Sequence, residues 1–265
     1  VDALQGYGIR FSPSAQEAVL RILFSSKGKD LTQVKNLVDA GGNYQNLHHL
    51  VYTELPPGET RNAVLQHFAN QACNVRRELG CAWGVKIISD IDDTLYSSGG
   101  AFPKGVDKRY PKHVVYPGCL TLFRLLDQQA SCSSPGSQEF RHQHQSHDCN
   151  LVFLSARPHI YKGVAEKRSY KVFQHLVEEG RMHVMPTLMP GSISRGVWAL
   201  LKSFAGMGGS SWRAVGELKY FTYLEFRELY REYDFVFCGD SGQGDLLAAQ
   251  MMLQAENSSL QQPRK

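Results

Sequence analysis

From residue 84 onward, short apolar runs alternate with longer amphipathic stretches, and this alternation constrains the architecture more than any other feature. Val85-Lys86-Ile87-Ile88-Ser89, Leu151-Val152-Phe153-Leu154 and Phe235-Val236-Phe237-Cys238 read as strands, with His183-Val184-Met185 as a fourth. Helix-like stretches lie between them, near 118–128, 163–179, 217–231 and 244–254. Strands joined through helices return to the same end of a sheet and so run parallel. The expected class is therefore α/β, a parallel sheet with helices on both faces.

The first 83 residues follow a different pattern and read as a helical N-terminal extension. Ser12-Pro13-Ser14, with Glu17 three residues further on, marks a helix start. Ala15, Val19, Ile22 and Leu23 then share one face, and Leu31, Val34, Leu37 and Val38 repeat the spacing up to Gly41-Gly42. A third helix is expected from Thr60, carrying Val64, Phe68 and Cys73. The sheet region would run over 84–255 and end in a polar tail, 256–265. The stretch 130–149 holds His142, His144, His147 and Cys149, which could be drawn as a metal site. They sit among Ser, Gln and Pro without an apolar framework, so a surface loop is expected there.

Composition excludes several classes. The chain has 265 residues, 42% hydrophobic and 20% charged, which suits a packed core and not a disordered chain. No run of 18 apolar residues occurs, so no helical membrane span is expected. A formal charge of +4 permits an anionic partner, and no nucleic acid is expected. None of the six cysteines forms a CxxC pair, so a reduced, cytoplasmic setting is expected, with peripheral membrane docking left open.

The chemistry concentrates where the strands end. The first strand runs into Ser89-Asp90-Ile91-Asp92-Asp93-Thr94, three carboxylates within four residues that repel one another. A bound cation relieves that repulsion, and an all-oxygen set suits a hard ion such as Mg²⁺. The second strand ends at Ser155, followed by Ala156-Arg157-Pro158, and the third at Gly239-Asp240-Ser241-Gly242-Gln243-Gly244-Asp245. Each of these alone also fits a helix cap or a Gly-rich turn. In a parallel sheet all three meet at the carboxyl edge, where ligands bind.

Taken together, DIDDT at 90–94, LSARP at 154–158 and GDSGQGD at 239–245 resemble the motifs of the haloacid dehalogenase superfamily of phosphotransferases. The resemblance implies a Rossmann-like sheet of haloacid dehalogenase type. With GGAFPKGVDKRYPKHVVYPG at 99–118 and LTQVKNLVDAGGNYQNLHHLVY at 31–52, the chain is similar to the actin-patch-protein type of phosphatidate phosphatase domain, a relative of the lipins. The implied activity is a Mg²⁺-dependent phosphatase acting on phosphatidate.

The same resemblance implies the roles. Asp90 would be the nucleophile and Asp92 the general acid and base. Ser155 and Lys219 would bind the phosphoryl group, with Lys202 the competitor of Lys219, and Thr94 would help fix the loop. Asp90, Asp92 through its carbonyl, and Asp240 would hold Mg²⁺, with Asp245 contributing through water or as a supporting partner. Asp93 would face away and orient the loop. Lys104, Lys108, Arg109 and Lys112 form a basic loop after the first motif, and Arg157 and His159 follow Ser155; these are expected to face an anionic substrate or a membrane surface. Two other readings stay open: a phosphatase for a soluble or protein phosphoester, and a headgroup-binding module of low activity.

Overall fold

The computed structural model describes residues 3–6, 8–40, 42, 45–99, 109–129, 150–155, 162–190, 211–242 and 244–261. The lead-in is helical, as its periodicity predicts. Helix α1 spans Pro13–Ser25, with Pro13 in the first turn and the Ser12 hydroxyl accepting the Ala15 N–H at 3.3 Å. Helix α2 spans Gly28–Asp39, and α3 spans Glu59–Leu79 and stops at Gly80, whose left-handed φ of 69° suits glycine. The rest runs β1 (Val85–Asp90), α4 (Cys119–Gln129), β2 (Leu151–Ser155), α5 (Lys162–Glu178), β3 (Thr187–Pro190), α6 (Ser211–Leu229), β4 (Asp234–Cys238) and α7 (Asp245–Gln261).

The strands form one parallel sheet in the order β3-β2-β1-β4. Alternate residues of each strand go to opposite faces. Ile88, Val152, Leu154 and Met189 join one apolar cluster, with α6 and α7. Ile87, Leu151, Phe153 and Leu188 join the other, with α4 and α5. Both faces are thus covered by helices, and the chain is α/β as expected.

Three expectations need correction. The fourth strand is Thr187–Pro190, and His183-Val184-Met185 precedes it in a bend. His183 faces Asp127 instead, with Nε2 2.9 Å from Oδ2, and the ladder to β2 begins only at Thr187, opposite Val152. Helix α6 also starts at Ser211, before the expected 217, so Lys219 lies in its interior and not near its start. In addition, Cys81 is disulfide-bonded, against the expectation of reduced cysteines, whereas Cys73, Cys119 and Cys238 are free thiols. No helix among the described residues is long and apolar enough to cross a membrane.

The helical lead-in shares the first core. Val19, Leu23, Leu31, Val38, Val64 and Phe68 pack in the same cluster as Ile88, Val152 and Phe226. A buried polar network reinforces this junction. Lys86, on β1, donates to Asn36 Oδ1 at 2.9 Å and lies over the rings of Tyr230 and Tyr233, 4.4 and 4.6 Å from their centroids. Lys35 donates to the Leu229 carbonyl at 2.8 Å and pairs with Glu232 at 2.5 Å. Asp39 accepts the Leu47 N–H at 2.8 Å and the Tyr230 hydroxyl at 2.7 Å. Two buried ammonium groups face two buried carboxylates, so no net charge is stranded in the core.

Candidate active site

Parallel register gathers the polar strand ends at one edge of the sheet. Asp90 closes β1 opposite Leu154, one residue before Ser155 closes β2. Ser89 pairs with Cys238, so Gly239 and Asp240 leave β4 beside Asp90. Of Ser155, only the backbone is described.

Lys219 is the centre of the site. Its ammonium donates to Asp90 Oδ1 at 2.7 Å and to Asp245 Oδ1, while all three side chains are at least nine-tenths buried. Of the two lysines considered, the structure brings Lys219 to the acids; Lys202 lies outside the described residues. Burial opposes the charge of Lys219, yet Asp90 and Asp245 together hold its pKa above the ordinary value. Burial is also the largest influence on Asp90. Opposed by Lys219 and assisted by Asp245 and Asp92, it raises the Asp90 carboxyl from its ordinary 3.8 to about 7. Asp245 is likewise raised, by burial first, with Lys219 opposing.

Close backbone packing makes this pairing possible. Asp245 opens α7, where an acid complements the helix dipole, and its Oδ2 accepts the Asp240 N–H at 3.3 Å. A β-carbon on Gly239 would stand 2.6 Å from Asp245 Oδ2, so only glycine leaves room for that carboxylate under the strand tip. A β-carbon on Gly216, one turn before Lys219, would stand 2.6 Å from the Gly244 carbonyl. The approach of α6 to the start of α7 therefore requires the bare backbone. Gly216→Ala is expected to cost about 1–3 kcal/mol in unfolding free energy. A urea titration of the variant checks this, and parent-like stability would show that the helices separate without strain.

The turn after β1 is compact. The Asp93 N–H donates to the Tyr96 carbonyl at 2.9 Å, and the Leu95 N–H to the Ile91 carbonyl at 3.0 Å. Asp92 is half-buried and close enough to push the Asp90 carboxyl up. Asp93 has its carboxylate turned to the loop, accepting the Ser98 N–H at 2.8 Å and the Tyr116 hydroxyl at 3.4 Å. This agrees with an orienting role. Two buried polar atoms here have no hydrogen-bond partner: Asp90 Oδ2 and Thr94 Oγ1.

The basic loop after the first motif, called the flap below, folds back on this turn where it is described. Ser97 donates to the Val114 carbonyl at 2.9 Å, His113 to the Ser97 carbonyl at 2.8 Å, and Tyr116 to the Leu95 carbonyl at 3.0 Å. Arg109 and Lys112 are exposed on it. Lys104, Lys108, Arg157, His159 and the 130–149 stretch lie outside the described residues.

The predicted metal ligands are brought together only in part. Among the described residues, no group of three or more His, Cys, Asp or Glu side chains is gathered closely enough to hold an ion. Asp245 is engaged by Lys219 and by the Asp240 amide, and Asp240 Oδ1 accepts the Gly242 N–H at 2.9 Å. Mg²⁺ needs less than a full cage, because it retains several waters and takes one or two carboxylates. The unpartnered Asp90 Oδ2, an anionic oxygen in a site of oxygen donors, fits such an ion.

Comparison with known protein families, with curated proteins and with solved structures finds no match to this chain. The functional reading therefore rests on the residues themselves. Sequence reasoning had no means of finding Gly216 or Tyr116. A glycine inside a helix and a tyrosine in a loop carry no mark of their distant neighbours.

Proposed function

We propose that this chain is a Mg²⁺-dependent phosphatase of haloacid dehalogenase type, working through an aspartyl-phosphate on Asp90, with phosphatidate as substrate. The observation that carries this reading is the buried Asp90–Lys219–Asp245 cluster at the carboxyl edge of a parallel sheet. Burying charges without a purpose is costly, and this edge is where such sheets bind ligands.

The steps follow the roles that the resemblance implies. An Asp90 carboxylate oxygen attacks phosphorus, and the bond from phosphorus to the leaving oxygen breaks. The Asp92 carboxyl gives its proton to that departing alkoxide. In the second step the Asp92 carboxylate takes a proton from water. The water oxygen bonds to phosphorus, the bond to Asp90 breaks, and inorganic phosphate leaves. Lys219 keeps the Asp90 carboxylate in place and offsets the negative charge around it. Mg²⁺ held by Asp90, the Asp92 carbonyl and Asp240 would neutralise charge on the phosphoryl oxygens. Arg109 and Lys112, exposed near the turn, suit an anionic headgroup or surface.

The deciding experiment measures phosphate release from phosphatidate in mixed micelles, with and without Mg²⁺, beside a soluble phosphoester. Metal-dependent release that prefers the lipid is expected. Release from the soluble ester alone would retain the chemistry and discard the lipid, and release from neither by folded protein would overturn the phosphatase reading. Binding of Mg²⁺ also has a predictable pH dependence. Since the Asp90 carboxyl is raised to about 7, protons compete with the ion below that pH. Calorimetric affinity is expected to weaken roughly fivefold from pH 7 to pH 6 and to level off above pH 8; a flat profile would exclude Asp90 as a ligand.

A further inference from the structure

The described residues contain two non-glycine residues with left-handed backbone, Asp93 at φ 63° and His113 at φ 67°. Both belong to one small unit beside the reacting carboxylates. Such conformations are uncommon outside glycine and persist only where the surroundings hold them. Here the surroundings are explicit. The His113 N–H donates to the Ser97 carbonyl at 2.8 Å, and its ring meets that of Tyr96 edge-on with centroids 5.6 Å apart. The Asp93 carboxylate takes the Ser98 N–H at 2.8 Å and the Tyr116 hydroxyl at 3.4 Å. Tyr116 in turn donates its N–H to Leu95 and packs edge-on against Tyr110, with ring centroids 5.3 Å apart.

We propose that Asp93 is a positioning residue that fastens the 109–116 flap to the turn bearing Asp90 and Asp92. The inference rests on the phosphatase reading for its effect on turnover, and on geometry alone for the fastening. Asp92 and Asp93 are consecutive, so the left-handed twist at Asp93 fixes the path of the chain immediately after the proposed acid. One Asp93 oxygen receives donors from both sides of the unit: Ser98 from the outgoing segment and Tyr116 from the returning one. Losing that oxygen loosens the flap, which the backbone bonds of Ser97, His113 and Tyr116 still hold, without removing any group that touches the reacting atoms. Asparagine keeps both an acceptor oxygen and a tolerance for left-handed backbone. Glycine keeps only the backbone freedom.

The test compares Asp93→Asn and Asp93→Gly with the parent. Asp93→Gly is expected to speed amide exchange of residues 95–98 and 113–116 about tenfold or more while β1 stays protected. It is also expected to lower kcat on a soluble phosphoester by roughly 10–100-fold with little change in KM, the signature of a misplaced acid. Asp93→Asn should restore parent exchange and most of kcat. Tyr116→Phe, which removes one donor, should fall between them. Unchanged exchange in Asp93→Gly would overturn the fastening, and accelerated exchange with parent kcat would overturn the positioning role. If the parent hydrolyses no phosphoester, the proposed function fails by itself, and the exchange measurement still decides whether Asp93 fastens the flap.

Discussion

Asp90→Asn is expected to abolish turnover while leaving the protein folded and, above neutral pH, more stable than the parent. The first effect follows from removing the oxygen that bonds to phosphorus; a loss on the order of 10⁶-fold is typical of nucleophile removal. The second follows from the Asp90 carboxyl, which burial raises from 3.8 to about 7. The native state holds that proton more tightly than the unfolded chain. The parent therefore has the full contribution of this group below pH 3.8 and loses it progressively as the pH rises to about 7. Asparagine carries no charge to bury, so the variant should lack this part of the slope. Chemical denaturation at pH 5 and pH 8, read alongside phosphate release, checks both effects. A variant less stable than the parent at pH 8 would show that the Asp90–Lys219 attraction outweighs burial.

Lys219→Met is expected to give the largest loss of stability. It removes the cation shared by Asp90 and Asp245, whose carboxylates are 7% and 0% exposed, and leaves two acids facing each other out of water. Breaking a buried ionic group by removing one partner costs about 3–5 kcal/mol. Methionine occupies similar volume, so the loss reports charge and not a cavity. Mg²⁺ should stabilise this variant more than the parent, because the ion then answers charge that the ammonium no longer does. Thermal unfolding with and without Mg²⁺ checks both statements. A loss within 1 kcal/mol would mean that the acids take up protons at little cost, and that the lysine is not what holds the edge together.

Local pattern carried the reading of the fold a long way. The apolar runs at Ile87, Val152 and Val236 and the helical spacing of the lead-in appear where the periodicity puts them, because each element's own residues satisfy its backbone and offer one apolar side. The fourth strand did not follow. A four-residue strand such as Thr187–Pro190 is selected by the partner it pairs with, and that partner is β2. The same limit applies to the site. Asp90, Asp92 and Asp240 are visible as acids at the ends of apolar runs, whereas Lys219 was reached only through resemblance, since it sits 129 residues from Asp90.

The amino-acid order alone thus specified the α/β class, the helical lead-in, the strand ends and the acids they carry, since these depend on periodicity and on neighbours within a few residues. Only the tertiary structure decided which groups answer those acids. Lys219 between Asp90 and Asp245, Gly216 against Gly244, Asp93 with Tyr116, and Asn36 with Tyr233 197 residues away all depend on distances set by packing. A buried charge or amide must find its partner wherever the fold delivers one, because no water remains there to take its place.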